Sequence, residues 1–408
     1  MAQNTVRPPS KVTATTGPIL IAGTGLIGTS IALALRERGV DVYLTDPSPV
    51  ALALAIDMGA GRLYPTDAAD EEPRLVVVAA PPDISGATCL EYLRRFPRAT
   101  VTDVASVKTA VIGDVVKGVK GVKGNEGNEG SEGIAGGDAD QQEAILARFV
   151  GSHPMAGRAR SGASSAHGDL FYGRPWVIVP TAWSSVEATR TVRDLAVDLG
   201  SVPVELGPQE HDSAVDVVSH VPQLVSSLLA ARLTETTPEA LSLAGQGLRD
   251  TVRIAASDPS LWTAIIAGNA GPVAQVLAKI RDDLDALLEP LSAQATLEDF
   301  PLAPGAARAI SETIANGNEG VSRIPGKHGG APRRWAAVEV LVPDRPGELG
   351  RLFTELGDAG ISIEDLSLDH SAEQPVGLAR IMVVPERAED AERELSQRGW
   401  RVANRGAQ

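Results

Sequence analysis

The chain has 408 residues, of which 43% are hydrophobic, 22% charged and 3% aromatic, with a net charge of -15. Its length asks for more than one domain, and its composition is that of a globular protein with aliphatic cores. The negative charge argues against nucleic-acid or anionic-membrane partners, which need a positive surface, and the single cysteine, Cys89, can form no internal disulfide, so a cytoplasmic location is expected.

Residues 1–16 are small and polar, lack the apolar run of a signal peptide, and read as a disordered tail. No apolar stretch approaches the roughly 20 residues that span a bilayer. From Gly17 to about Pro180 short apolar runs alternate with helical patterns, which predicts parallel α/β structure. The predicted strands are Ile19–Ala22, Val40–Asp46, Leu75–Ala80, Thr100–Val104, Phe149–His153, Trp176–Pro180 and Val202–Leu206. Residues 117–142 form a Gly/Glu/Lys repeat that cannot bury a core and reads as a flexible insertion.

Beyond His211 the apolar period becomes helical, with Ala214, Val217, Val218, Val221, Leu224 and Leu228 on one stripe. Pro222 inside that stripe removes a hydrogen bond to Val218 and predicts a kink. Asp258-Pro259 starts a further helix, as an N-cap followed by proline in the first turn. The helical block is taken as 207–310, and a Gly/Pro/basic linker as 311–334. Residues 335–406 then follow the order βαββαβ, a separate small unit.

Gly23-Thr24-Gly25-Leu26-Ile27-Gly28 sits between the first predicted strand and a helix of good formers, the context that gives a GxGxxG run its meaning. The first glycine permits the turn, the second admits a pyrophosphate, and the third lets the helix pack on the strand. Asp46 ends the second strand, where an acid can bond both ribose hydroxyls, and Pro47, Ser48 and Pro49 follow it without an arginine. A 2′-phosphate would meet only an acid there, so NAD is favoured over NADP.

Three clusters carry candidate chemistry. Asp103-Val104-Ala105-Ser106-Val107-Lys108 and His153-Pro154-Met155-Ala156-Gly157 both follow strands at the carboxyl edge, where doubly wound sheets bind ligands. The helical block supplies His211-Asp212, Ser219-His220-Val221-Pro222 and the run Gly247 to Ile254. Arg253 lies in a small, apolar stretch where an unpaired guanidinium would be costly and an anionic substrate would satisfy it. There is no zinc-ligand spacing, Walker motif, GxSxG elbow or cysteine nucleophile, so no metal is expected and the chemistry should be a cofactor's hydride transfer.

Taken in order, GTGLIG, DVASVK, HPMAG, SHVP and RDTVRIAASDP resemble the prephenate/arogenate dehydrogenases from Gly17 to Leu291, and the turn Val342 to Leu349 resembles that of an ACT domain. The resemblance implies a Rossmann-type NAD-binding domain at 17–206, a helical substrate and dimerisation domain at 207–310, and an ACT-like regulatory domain at 335–406. It implies NAD-dependent oxidative decarboxylation of prephenate, in tyrosine biosynthesis, by a homodimer. His153 would be the general base on the substrate's ring hydroxyl, neutral at a near-ordinary pKa. Ser106 would orient His153 and the nicotinamide carboxamide, Arg253 would bind a substrate carboxylate, and His220 would contact the substrate side chain. Ser257 would reach the neighbouring subunit's site, and tyrosine would be the allosteric ligand of the ACT-like unit. Three alternatives stay open. Arogenate could be the substrate, with Asp250 pairing its ammonium. Another small-acid dehydrogenase would place a lysine on the first helix of the block, where this chain has His211 and His220. A non-catalytic amino-acid sensor would not need Ser106, His153 and Arg253 together.

Overall fold

The computed structural model describes residues 13–65, 72–121, 139–157, 162–294, 305–325, 335–370 and 375–403. The chain divides into two compact units, one made of residues up to Leu228 with Ile254–Ala278, the other of Leu229–Arg253 with Lys279–Gln408.

The first unit is built on an eight-stranded sheet. Its strands are β1 (Ile19–Ala22), β2 (Val42–Thr45), β3 (Arg62–Leu63), β4 (Leu75–Val78), β5 (Thr100–Asp103), β6 (Phe149–Pro154), β7 (Pro175–Val179) and β8 (Val202–Glu205), in the order β3-β2-β1-β4-β5-β6-β7-β8. Helices α1 (Leu26–Arg36), α2 (Pro49–Asp57), α3 (Pro82–Arg95), α4 (Thr109–Lys120), α5 (Ala139–Leu146) and α6 (Val186–Asp198) connect them. Side chains alternate across a strand, so Ile19 and Ile21 of β1 join one apolar cluster while Leu20 and Ala22 join the other. With both faces covered, the strands read as continuous apolar runs.

The pairing departs from the expected all-parallel sheet at one place: β6 and β7 are antiparallel, with Gly151 opposite Val179. The short edge strand β3 was also absent from the sequence reading; two exposed residues give no period to detect. Register puts Ala22 beside Thr45 and Val78, Val78 beside Asp103, and Asp103 beside Gly151. The residues after those positions therefore gather at one edge.

The helices that follow are α7 (Pro208–Val215), a π-helical stretch over Asp216–His220, α8 (Val221–Arg232), α9 (Pro238–Leu241), α10 (Gln246–Val252), α11 (Pro259–Gly268) and α12 (Ala270–Gln294). The wide turn meets the missing N–H of Pro222 just beyond it, and π-turns inside helices often mark functional sites. Asp258 caps α11, accepting from Ser260 N and Leu261 N, as its sequence predicts. The continuous run Pro208–Glu235 is long and apolar enough to cross a membrane by length and composition, a test that a core helix also passes. Its buried face carries His211, Asp212, Asp216 and His220, while Val217, Val218 and Leu228 of the expected apolar stripe are exposed.

Several expected boundaries move. Thr15 is buried and donates its N–H to Asp198, so the expected tail is tied down at that point, while residues 1–12 lie outside the described residues. The ends of the expected 117–142 insertion are helical, in α4 and α5, and residues 122–138 lie outside the described residues. The expected linker begins too early. Helix α13 (Ala306–Ser322) runs through it, because Ile310, Ile314 and Val321 keep a helical period past the glycines, each of which costs about 1 kcal/mol relative to alanine. Residues 326–334 lie outside the described residues.

The C-terminal sheet has strands β9 (Ala336–Pro343), β10 (Asp365–His370), β11 (Val376–Val383) and β12 (Arg401–Ala403), ordered β10-β11-β9-β12, with helices α14 (Glu348–Asp358) and α15 (Ala388–Gln397). Val340, Leu352, Leu356, Ile381, Leu395 and Trp400 form its own core, in the predicted βαββαβ order.

Candidate active site

The first half of the site is the turn from β1 into α1. Gly23 has φ +107, and a Cβ there would lie 2.3 Å from the Ala79 carbonyl oxygen at the end of β4. A Cβ on Gly28 would lie 2.0 Å from the Gly23 carbonyl, so the helix can approach the strand only without one. Gly25 caps α1, and a Cβ there would meet nothing within 4 Å: it faces open space. The first backbone bond of the helix runs from Thr29 N to Gly25 O, which leaves the N–H groups of Leu26, Ile27 and Gly28 free of helical partners. No acidic side chain sits in this first turn, so an anion is favoured there. Asp46 is held in place: its Oδ2 accepts from Thr24 N at 2.6 Å and Thr24 Oγ1 at 2.9 Å, and its Oδ1 from Ser48 N at 2.7 Å. These residues fit the pyrophosphate and ribose of a dinucleotide.

The second half is a buried polar cluster at the carboxyl ends of β5 and β6. Lys108 and Asp103 form an ion pair with both side chains fully buried. Asp212 on α7 accepts from Lys108 N and Thr109 N at the start of α4, each at 2.8 Å. Its Oδ1 also lies 2.8 Å from His211 Nδ1. Burial works to raise the Asp212 pKa, but the bonds from His211, Thr109 and Lys108 overcome it and hold it at about 2. His211 Nε2 lies 2.9 Å from His153 Nδ1. Burial first, then His211, Lys108 and His220, push the His153 pKa well below 6.5 against the pull of Asp212, which corrects the expectation of a near-ordinary value.

His220 closes the cluster. Asn269 Nδ2 lies 3.0 Å from the Asp212 carbonyl oxygen and 3.1 Å from His220 Nδ1. A carbonyl only accepts, so the amide nitrogen faces both, and His220 Nδ1 is an acceptor with its proton on Nε2. That Nε2 is buried and has no hydrogen-bond partner, as is Asp103 Oδ1, and an orphaned buried donor is costly unless a ligand meets it. Burial lowers the His220 pKa to about 4. Trp262 sets its ring edge-on to His220, with centroids 6.2 Å apart. Among the described residues, no group of three or more His, Cys, Asp or Glu side chains could hold a metal ion.

Of the residues singled out in the sequence, the structure brings His153 and His220 to this cluster. Ser106 lies half-buried on the loop after β5, and the partner of His153 Nδ1 is His211 rather than Ser106. Ser257 lies with its Oγ 2.7 Å from the Ile254 carbonyl and 3.3 Å from Gln223 Oε1. Arg253 belongs to the second unit and is exposed, so the expected cost of burying an unpaired guanidinium does not arise. Sequence reading missed the Lys108–Asp103 pair, the anchoring of Asp212 and the role of Asn269. The adjacent His211-Asp212 and the lysine five residues after Asp103 were visible signals, but nothing local shows that α7 lies against the start of α4.

Residues 31–125 and 136–205 match the nucleotide-binding domain of prephenate dehydrogenase, residues 207–300 its dimerization domain, and residues 336–398 an ACT domain. A probable prephenate dehydrogenase of Streptomyces niveus is 36% identical over 386 residues, 93% of this chain and 98% of that protein. The chain belongs to the prephenate dehydrogenase family. A prephenate dehydrogenase of Bacillus subtilis is 28% identical, over 89% of this chain and 91% of that one. Among solved structures, the Aquifex aeolicus prephenate dehydrogenase in complex with hydroxyphenyl propionate and NAD+ superposes with a TM-score of 0.57 at 26% identity, covering 76% of this chain and 99% of that one. An arogenate dehydrogenase of Synechocystis gives 0.53 at 27% identity, covering 74% and 99%. Membership in the prephenate dehydrogenase family bears out the Rossmann-type, helical and ACT architecture read from the sequence. The match to the nucleotide-binding domain starts at residue 31, so the Gly23–Gly28 turn is placed by its own geometry.

Proposed function

We propose that this chain is an NAD-dependent prephenate dehydrogenase, converting prephenate to 4-hydroxyphenylpyruvate and carbon dioxide in tyrosine biosynthesis. The observation that carries the reading is His153, a half-buried imidazole held below its ordinary pKa on the same sheet edge as the Gly23–Gly28 turn. The Gly23–Gly28 turn and Asp46 would hold the dinucleotide, which supplies the hydride acceptor when bound. Asp46 would bond the ribose hydroxyls and repel a 2′-phosphate, so NAD is preferred over NADP.

His153 takes the proton of the substrate's ring hydroxyl as the carbon bearing it gives up hydride. Loss of carboxylate as carbon dioxide then leaves an aromatic phenol, and aromatisation drives the step. His153 is neutral across the physiological range, the state that a general base requires. The Nε2–H of His220 is a donor for a substrate oxygen. Arg253 binds a substrate carboxylate. Ser106 would contact the carboxamide of the dinucleotide. Ser257 serves the neighbouring subunit's site in a homodimer, which would cover apolar side chains now exposed, among them Val217, Val218 and Leu228. Tyrosine is the ligand we assign to the ACT domain, and the cytoplasm the compartment, in keeping with one buried, unpaired cysteine.

Arogenate is the second reading, favoured by the likeness to the Synechocystis enzyme. Following NADH absorbance with prephenate and arogenate offered separately, each with NAD and NADP, decides among them. Turnover with prephenate and NAD above the other three pairs is expected, and no turnover with either substrate would end the proposal.

A further inference from the structure

His153 has two ring nitrogens, and only one can face a substrate. Its Nδ1 is committed to His211 Nε2 at 2.9 Å, and His211 Nδ1 to Asp212 Oδ1 at 2.8 Å. Asp212 is an ionised carboxylate, bonded by the backbone N–H groups of Lys108 and Thr109, and an ionised carboxylate only accepts. His211 must therefore present Nδ1–H to it, and a neutral His211 then has a lone pair at Nε2. Two lone pairs cannot face each other at 2.9 Å, so the proton between the rings sits on His153 Nδ1. From this geometry we infer that His211, anchored by Asp212, is a positioning residue that fixes His153 as its Nδ1–H tautomer and leaves Nε2 as the proton acceptor.

The same arrangement leaves a charge free for the reaction. The groups that face His153 are His211 and Asp212 from α7, Lys108 from the start of α4, and His220 from the π-helical stretch. Asp103 is paired with Lys108, so the two cancel and Asp212 remains as one uncompensated negative charge. A second proton on His211 would use that charge before any substrate arrived and would leave His153 with Nε2–H, unable to accept. With His211 neutral, the charge stays available for the imidazolium that forms when His153 takes the hydroxyl proton. In this arrangement Asp212 acts at a distance, through His211, and never touches substrate.

The inference rests on the reading of His153 as the base, but its first test needs no turnover. Nitrogen-15 labelling of the 6 histidines in the full chain separates Nδ1–H from Nε2–H tautomers by their long-range proton couplings, and single variants His153→Gln and His211→Phe assign the signals. Nδ1–H on both His153 and His211 at neutral pH is expected. Nε2–H on His153, or a doubly protonated His211, overturns the inference whatever the activity. The kinetic test follows. His211→Phe should lower kcat roughly 10²-fold, on the scale of positioned acid–base help, with both KM values within about twofold. His211→Gln, which can place an amide oxygen where Nε2 stood, should recover about tenfold of that loss. If instead both variants lose NAD affinity and melting temperature together, with Gln no better than Phe, His211 is merely structural. A wild-type protein that reduces no NAD with either substrate sinks the function and leaves the tautomers to be judged on their own.

Discussion

At the scale of single residues, burial decides the chemistry. His153→Asn should bind NAD normally and lower kcat by roughly 10²–10⁴-fold, since only the positioned base is removed. Retention of near-wild-type turnover, measured at saturating NAD, would take His153 out of the reaction. In the wild type the acid limb of kcat/KM should lie well below pH 6.5, because burial holds His153 neutral into mild acid. The same burial makes the fold acid-sensitive. His220 titrates at about 4 when folded, against 6.5 for a free imidazole, so the unfolded chain binds more protons between those values. Stability therefore falls as pH drops through that window, by about 3 kcal/mol once pH 4 is passed. Asp212 is shifted in the same direction, from 3.8 to about 2, and its contribution is present above pH 3.8 and lost only as pH falls below it. Melting temperatures from pH 7 to 4 should fall more steeply for wild type than for His220→Gln, and parallel slopes would refute the assignment. His153 and His220 were legible in the sequence as candidates because His153 precedes Pro154 at a strand's carboxyl end and His220 lies two residues before Pro222 in a helical stretch. Their environments were not, because Lys108, Asp212 and Asn269 reach them from elements far apart in the chain.

At the scale of elements, the glycine turn separates two kinds of constraint. Gly25→Ala adds a methyl group that meets nothing within 4 Å, at a φ of -73 that alanine adopts freely. The fold should keep its melting temperature, while NAD affinity falls because the methyl group occupies the space of the pyrophosphate. Gly28→Ala drives a Cβ to 2.0 Å from a backbone oxygen and should destabilise the protein by about 1–3 kcal/mol, as overpacking does. Thermal melts and NAD fluorescence titrations on the two variants measure both; loss of stability in Gly25→Ala would show that the open space is not a ligand's. The β1–α1–β2 unit was readable because its strands are apolar on both faces and its punctuation is glycine. The antiparallel turn of β7 and the two-residue β3 were not, since partner choice is not written in a strand's own period. The helix α13 was misread for a related reason. Asn316-Gly317-Asn318-Glu319-Gly320 looks like loop composition, and only the spacing of Ile310, Ile314 and Val321 around it carries the helix.

At the scale of the whole molecule, the C-terminal unit is a domain with its own closed accounting of apolar surface. Its sheet β10-β11-β9-β12 and helices α14 and α15 bury Val340, Leu352, Ile381 and Leu395 among themselves. Trp400 is held by its Nε1–H on Glu355 at 2.6 Å and by the Arg351 guanidinium 4.1 Å above its ring. A unit with its own core can fold alone, and its order was legible because strand and helix periods alternate cleanly between Pro and Gly breaks. At its first strand–helix junction Gly347 takes φ +91; Glu348 N–H bonds the Arg345 carbonyl, and the next N–H groups of the first turn of α14 have no helical partner, a setting suited to an amino acid's carboxylate. For tyrosine bound there to regulate, it must bind two states of the protein with different affinity, typically by about 1–3 kcal/mol, or roughly 5- to 150-fold. A chain ending at Pro325 keeps α13 whole and removes the ACT domain, which a cut at Asn316 would not do cleanly. That truncated protein should keep its turnover and lose most of its response to tyrosine, and calorimetry on residues 331–408 should detect tyrosine binding directly. Inhibition that survives the truncation with the same constant and is competitive with prephenate would locate tyrosine at the active site instead. It would leave the ACT domain without a regulatory part in this enzyme.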